Sequence, residues 1–138
     1  MNQSEHYNLN YTKQQIDAIL LEINDCVNRN KFTIEKNINR QENKRLIEDY
    51  NLHDSKIKSI LLSIKTTDFC HSLKNKKIGY EHETLYVFCP QRTLFDILGE
   101  EEFVDIYTKF NIIKYGEGKI VYTVSFHKRN KPINYLFR

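Results

Sequence analysis

Along the first half of the chain, apolar residues recur three and four positions apart. Ile16, Ile19, Leu20, Ile23 and Val27 fall on one helical face, and Thr12 with Gln15 supplies a capping box. The spacing predicts an amphipathic helix from Lys13 to about Asn28. A short extended piece, KFTIEKN, follows. NRQENKRLIEDYN predicts a second helix ending near Asn51, a residue type that tolerates the left-handed backbone of a helix C-terminus. HDSKIKSILLSIK predicts a third, capped by Asp54 or Ser55, with Ile57, Ile60, Leu61 and Ile64 on one face. TTDFCHSL reads as a further capped turn or short helix from Thr67. Residues 1–10 are polar and aperiodic, as expected of a loose tail.

The second half changes period. TLYVFC, Thr84 to Cys89, is a strand-type run stopped by Pro90, and RTLFDILGEEEF fits either a helical turn or a strand excursion closed at Gly99. Asp105 to Lys128 reads as two strands around a glycine turn. GEG suits a three-residue loop with Gly118 in the left-handed position, which pairs Tyr115 with Lys119. In that register Tyr107 faces His127, Lys109 faces Ser125 and Asn111 faces Thr123. Ile106, Phe110, Ile112, Ile120, Tyr122, Val124 and Phe126 then form the opposite, apolar row. A two- or four-residue loop would set the apolar row of one strand beside the polar row of the other. An extended tail broken by Pro132 ends the sequence.

Helices first and strands afterwards predict an α+β domain over residues 1–138. Residues 12–73 are mainly helical and 84–138 mainly strand, with the helices on one face of a small antiparallel sheet. No apolar run approaches the roughly 18 residues that span a bilayer, and the opening residues lack a basic-then-apolar leader pattern, so a cytoplasmic location with no membrane partner is expected. Cys26, Cys70 and Cys89 are odd in number and scattered. They fit neither a disulfide framework nor a zinc pair and are expected to be half-buried filler. The net charge is +3, but from Phe103 onward seven basic residues stand against Asp105 and Glu117. Such a stretch is either a phosphate-binding footprint or an ordinary solvated face.

Tyr107, Lys109, Ser125 and His127 share the polar row of the hairpin. Opposed side chains in a sheet stand about 5 Å apart at Cβ, the scale of one phosphodiester. A phenol, an ammonium and an imidazole around a phosphate can move a proton from a 2′-hydroxyl, offset charge on phosphorus and protonate a leaving oxygen, without metal or cofactor. Solvent faces of antiparallel sheets also carry Lys, Thr and Tyr for no such purpose. GYEHE, with Glu81, His82 and Glu83 adjacent, lacks a partner pair at metal-ligand spacing and reads as a solvated loop. No phosphate-cradling glycine loop is present among the four glycines.

The succession EDYNLHDSKIKSILLSIKTTDFCHSL, LYVF, IYTKFNI and VSFH, followed by a tail with Pro and Tyr, resembles the MqsR family of type II toxins over about Glu48 to Tyr135. The resemblance implies a RelE-like fold and a ribosome-independent mRNA endonuclease that needs no metal and is neutralised by a cognate antitoxin protein. It places catalytic positions at His71 in DFCH, at Tyr107 and at His127, with Lys109 matching the lysine of the Tyr107 strand. His71 and His127 stand where the best-known members carry lysine, which shifts the positive charge onto Lys109. Lys128, Arg129, Lys131 and Ser125 are the candidate RNA contacts. The alternative from a different class is a non-catalytic module, an inhibitor or adaptor that holds nucleic acid or protein on the same scaffold.

Overall fold

The computed structural model describes residues 7–37 and 40–138. The first helix, α1 (Lys13–Asn28), carries both bonds of its capping box. The Gln15 amide donates to Thr12 Oγ1 at 3.2 Å and the Thr12 amide to Gln15 Oε1 at 2.8 Å. Strand β1 (Phe32–Ile34) precedes α2 (Gln41–Asp49) and α3 (Asp54–Leu62). Asn51 takes the expected left-handed conformation, φ 47°, just past α2. Neither Asp54 nor Ser55 caps α3: Asp54 is already helical, and His53 stands at the N-cap without a side-chain bond. Of the tail expected over residues 1–10, residues 1–6 lie outside the described residues, and Asn8 pairs with Ser72.

TTDFCHSL is a turn only at its start. A 3₁₀ turn over Thr66–Asp68 leads straight into β2 (Phe69–Lys74), followed by β3 (Thr84–Phe88), β4 (Gln91–Phe95), β5 (Glu101–Tyr115) and β6 (Gly118–Lys128). Strand β2 escaped the reading of periodicity for two reasons. Its first four residues are all buried, and Cys70 is an extra residue between the pairs Phe69↔Phe88 and His71↔Val87. RTLFDILGEEEF resolves as the strand excursion, with Gly99 at φ 79° and Asp96 Oδ1 accepting from the Leu98 and Glu100 amides at 2.9 Å.

Among the described residues three helices accompany a six-stranded sheet in the order β1-β6-β5-β3-β2, with β4 beside the first residues of β5. The fold class is α+β, but the sheet is mixed rather than purely antiparallel. KFTIEKN supplies β1, which runs parallel to the outer edge of β6; the Val121 amide donates to Lys31 O and the Glu35 amide to Thr123 O. Ile16, Ile23, Leu46, Ile57 and Leu61 of the helices meet Phe69, Phe88, Phe110, Val121 and Phe126 of the sheet in one buried cluster. A smaller cluster of Cys70, Val87, Cys89 and Tyr107 contains no helical residue and is covered by Ile133 and Tyr135 of the tail; the Tyr135 hydroxyl donates to Cys89 O at 2.6 Å. All three cysteines are free and fully buried, not half-buried. Burial pushes the Cys70 thiol up to about 12 and Cys89 up to about 11, and raises Cys26 as well. No helix among the described residues is long and apolar enough to cross a membrane.

The hairpin of β5 and β6 departs from the expected register in an instructive way. Tyr115 pairs with Gly118, so the loop is the two residues Gly116 and Glu117, and of these only Gly116 has positive φ, 62°, the type II′ pattern. The mismatch that such a loop creates is repaired by a bulge: Lys109 faces Ser125, the next residue Phe110 faces Thr123, and Val124 is left over. Beyond the bulge the expected pairs Tyr107↔His127 and Lys109↔Ser125 are present. Between bulge and loop they are not: Asn111 faces Tyr122, and Val121 and Thr123, rather than Ile120 and Tyr122, are buried.

Asn43 of α2 holds this bulge. Its Nδ2 donates to Val124 O at 3.0 Å and to Glu35 O at 2.9 Å, and its Oδ1 accepts from the Phe126 amide at 2.8 Å. The side chain is fully buried. Asn43→Leu leaves two carbonyls and one amide without partners, and unmet buried groups cost about 1–3 kcal/mol each. The variant is expected to lose about 3 kcal/mol of stability, read as a lower urea midpoint; an unchanged midpoint would show that the bulge holds without this amide.

Candidate active site

On the sheet face away from the helices, β5 places Tyr107 and Lys109 on one side of its pleat. Strand β6 sets His127 opposite Tyr107 and Ser125 opposite Lys109, while β3 sets Val87 on the other flank of Lys109 and β2 sets His71 beside Val87. The row His71, Val87, Lys109, Ser125 thus crosses four strands, with Tyr107 and His127 one step along it. The structure brings His71, Tyr107, Lys109, His127 and Ser125 together.

Tyr107 is only 3% exposed and stacks against His127, with ring centroids 5.3 Å apart and planes 19° from parallel. Lys109 Nζ lies 5.8 Å and Lys131 Nζ 5.9 Å from the centre of the Tyr107 ring. Beside this group opens a pocket of about 440 Å³ whose charged lining is Arg40, Lys74, Lys76, Lys77, Lys109 and Lys131, with no carboxylate. Among the described residues four buried side-chain polar atoms have no hydrogen-bond partner; two of them, the Tyr107 hydroxyl and His71 Nε2, stand in this group, and Asn24 Oδ1 and Thr123 Oγ1 lie outside it. Burial, and then Lys131 and Lys109, lowers the His71 pKa to about 4. Burial, and then Arg40, Lys131 and Lys76, lowers Lys109 to about 8. The Tyr107 phenol is pushed well above its ordinary value, by burial first and then by Tyr7 and the two neighbouring thiols.

His127 has one nitrogen engaged. Its Nδ1 lies 2.8 Å from Lys128 O, and since a carbonyl only accepts, Nδ1 carries a hydrogen, which leaves Nε2 as the acceptor of the neutral tautomer. The Glu42 carboxylate stands 3.6 Å from Nδ1, where it offsets positive charge if the ring is protonated.

The expected RNA contacts divide. Ser125 and Lys131 belong to the site, but Lys128 and Arg129 do not. Lys128 pairs with Glu102 at 3.0 Å over the ring of Tyr50, and Arg129 pairs with Asp105 at 3.1 Å. Lys119 pairs with Glu22, and Arg138 with Asp68 at 3.0 Å. Three acids from earlier in the chain, Glu22, Glu102 and Asp68, therefore offset part of the charge excess of the C-terminal third. The cationic wall is built instead from Arg40 and the run KNKK, Lys74 to Lys77, which the sequence reading passed over although three lysines in four positions are visible there. That run is tied to the sheet by Glu83, whose Oε1 accepts from Asn75 Nδ2 and Asn111 Nδ2, each at 3.0 Å. Among the described residues no three His, Cys, Asp or Glu side chains are grouped to hold a metal ion.

No family model, curated protein or solved structure matches the chain.

A lysine whose folded pKa is depressed opposes folding while it is charged. Its penalty is complete below about pH 8 and is relieved between there and the unfolded value near 10.5. Lys109→Met is expected to melt above wild type at pH 7, the gap closing as pH rises from 8 to 10.5. The comparison cancels the thiols and phenols that titrate in the same range. Equal melting temperatures at pH 7 would show Lys109 to be well solvated.

Proposed function

We propose that the chain is a metal-independent endoribonuclease with a RelE-like fold, the toxin of a cytoplasmic toxin–antitoxin pair whose partner is its antitoxin and whose substrate is mRNA. The observation that carries this reading is the pair of buried, unpartnered polar atoms on the site face, Tyr107 hydroxyl and His71 Nε2, next to Lys109, which lines a pocket whose charged groups are all cationic. Leaving such groups unmet costs about 1–3 kcal/mol each, which is recovered when a substrate supplies the partners. The resemblance to MqsR toxins points the same way.

The chemistry follows from the protonation states. His127 Nε2 takes the proton of the RNA 2′-hydroxyl, and Glu42 offsets the imidazolium that forms. The 2′-oxygen bonds to phosphorus as the bond from phosphorus to the 5′-oxygen breaks. Lys109 and Lys131 offset charge on the phosphorane. Tyr107, whose raised pKa keeps it protonated, donates to the departing 5′-oxygen, and solvent returns the proton from His127 to Tyr107. The products are a 2′,3′-cyclic phosphate and a 5′-hydroxyl. A divalent ion in this pocket meets ammonium and guanidinium groups where it needs oxygen ligands.

Cleavage of RNA by the purified protein is expected to persist in excess EDTA and to leave 2′,3′-cyclic phosphate ends by mass spectrometry. Tyr107→Phe and His127→Ala should each lower the rate by about 10²–10⁴-fold. Binding without cleavage would make the chain a non-catalytic module, and 5′-phosphate ends would refute the internal attack.

The charge census gives an independent check. The slope of log affinity against log salt for single-stranded RNA is expected to fall by about 0.7 in each of Lys131→Ala and Lys76→Ala, and to stay unchanged in Arg129→Ala, whose guanidinium already has Asp105. Loss of slope in Arg129→Ala alone would move the interface to the C-terminal strand end.

A further inference from the structure

Tyr7 lies flat on the ring of His71, centroids 3.6 Å apart and planes 7° from parallel. The segment that carries it crosses the free edge of β2. Asn8 exchanges both backbone bonds with Ser72, at 2.9 and 3.1 Å, and on the helix side the Tyr11 hydroxyl meets Ser72 Oγ at 2.7 Å. Tyr7 also lines the cationic pocket. His71 is thus 2% exposed because a residue from the far end of the chain covers its ring.

The fit is incomplete in one respect. A tyrosine ring satisfies the flat face of His71, but the side chain carries no carboxylate or phosphate to set against Lys109, Lys131 and Arg40. A nucleotide brings both parts at once, a planar base for the imidazole and a phosphate for the cations. Displacing Tyr7 breaks the Asn8–Ser72 bridge and one ring contact while Tyr11 stays packed on Phe69 and Tyr86, an opening at the low end of the local stability scale.

We infer that the Tyr7 ring occupies a nucleobase subsite: a base of the substrate stacks on His71 in its place, with its phosphate among Lys109, Lys131 and Arg40, and the segment from Tyr7 to Asn10 is a displaceable strap over the site, held at its root by Tyr11. The inference rests on the nucleic-acid reading above. It makes His71 a stacking platform that orients the base, while His127 carries the proton.

The test uses the full chain with two probes, adenosine 5′-monophosphate and ribose 5-phosphate, which differ by the base. The monophosphate is expected to move the Tyr7 ring resonances away from their His71-shifted positions and to speed hydrogen exchange at the Asn8 and Ser72 amides; ribose 5-phosphate should do neither. Tyr7→Ala should bind the monophosphate about tenfold more tightly, one stacking contact no longer being contested, and bind ribose 5-phosphate as wild type does. His71→Ala should lose the preference for the monophosphate, and His71→Phe should restore it, which a merely structural role would not produce. The inference is overturned if Tyr7→Ala weakens monophosphate binding, if the monophosphate does not bind, or if it binds with Tyr7 unmoved. Displacement of Tyr7 by the monophosphate in a protein that cleaves no RNA would leave the subsite standing and remove the nuclease reading. RNA cleavage with Tyr7 unmoved would do the reverse.

Discussion

Side chains on a strand alternate faces, so one inserted residue transfers everything beyond it to the other side of the sheet. Two such insertions assemble this site. Without Cys70 as an extra residue, His71 would stand opposite Tyr86 and point into the helices; without Val124, His127 and Ser125 would fall on the core row and Phe126 would face the pocket. Both histidines reach the site face by this device. The second insertion depends on a neighbour, since the irregular backbone around Val124 exposes a carbonyl and an amide that the sheet does not pair, and Asn43 supplies the complement from α2. Helix and site are thereby coupled: the same helix begins beside Arg40 in the cationic wall and carries Glu42 to His127.

The second physical theme is charge held without countercharge. Elsewhere several basic residues are matched, as Arg129 is by Asp105, Arg138 by Asp68 and Lys128 by Glu102. In the pocket they face one another. Burial first, and the neighbouring cations after it, lower the Lys109 pKa to about 8 and the His71 pKa to about 4. An anion entering there opposes both shifts, raising the lysine pKa as it binds, so occupancy, protonation and stability of the fold are linked in one equilibrium.

Much of the frame was legible in the sequence. The capping box of Thr12 and Gln15 located α1, Asn51 marked the end of α2, and the pairs Tyr107↔His127 and Lys109↔Ser125 were read correctly. Those pairs were reached through a loop one residue too long. A three-residue loop and a two-residue loop with a bulge give the same register beyond Val124, and only the segment between, where Val121 and Thr123 turn inward, tells them apart. Strand β2 was hidden because burial on both faces and the extra Cys70 erased its alternation. Lys128 and Arg129 read as free charge because their acidic partners are remote in sequence, and the KNKK run stood out less because it begins at the last residue of β2 and continues into a connection. The stacking of Tyr7 on His71, far apart in the chain, has no local signature at all.

The buried thiols carry a practical consequence. Cys26, Cys70 and Cys89 are the whole cysteine complement, all are enclosed, and all are held toward the protonated, unreactive form. In air the folded chain is a poor source of thiolate for cross-linking, and an alkylating dye is expected to react slowly with it. A single cysteine placed on the surface becomes the one position that takes a probe, so distances across the molecule can be measured in solution without first stripping its native sulfurs.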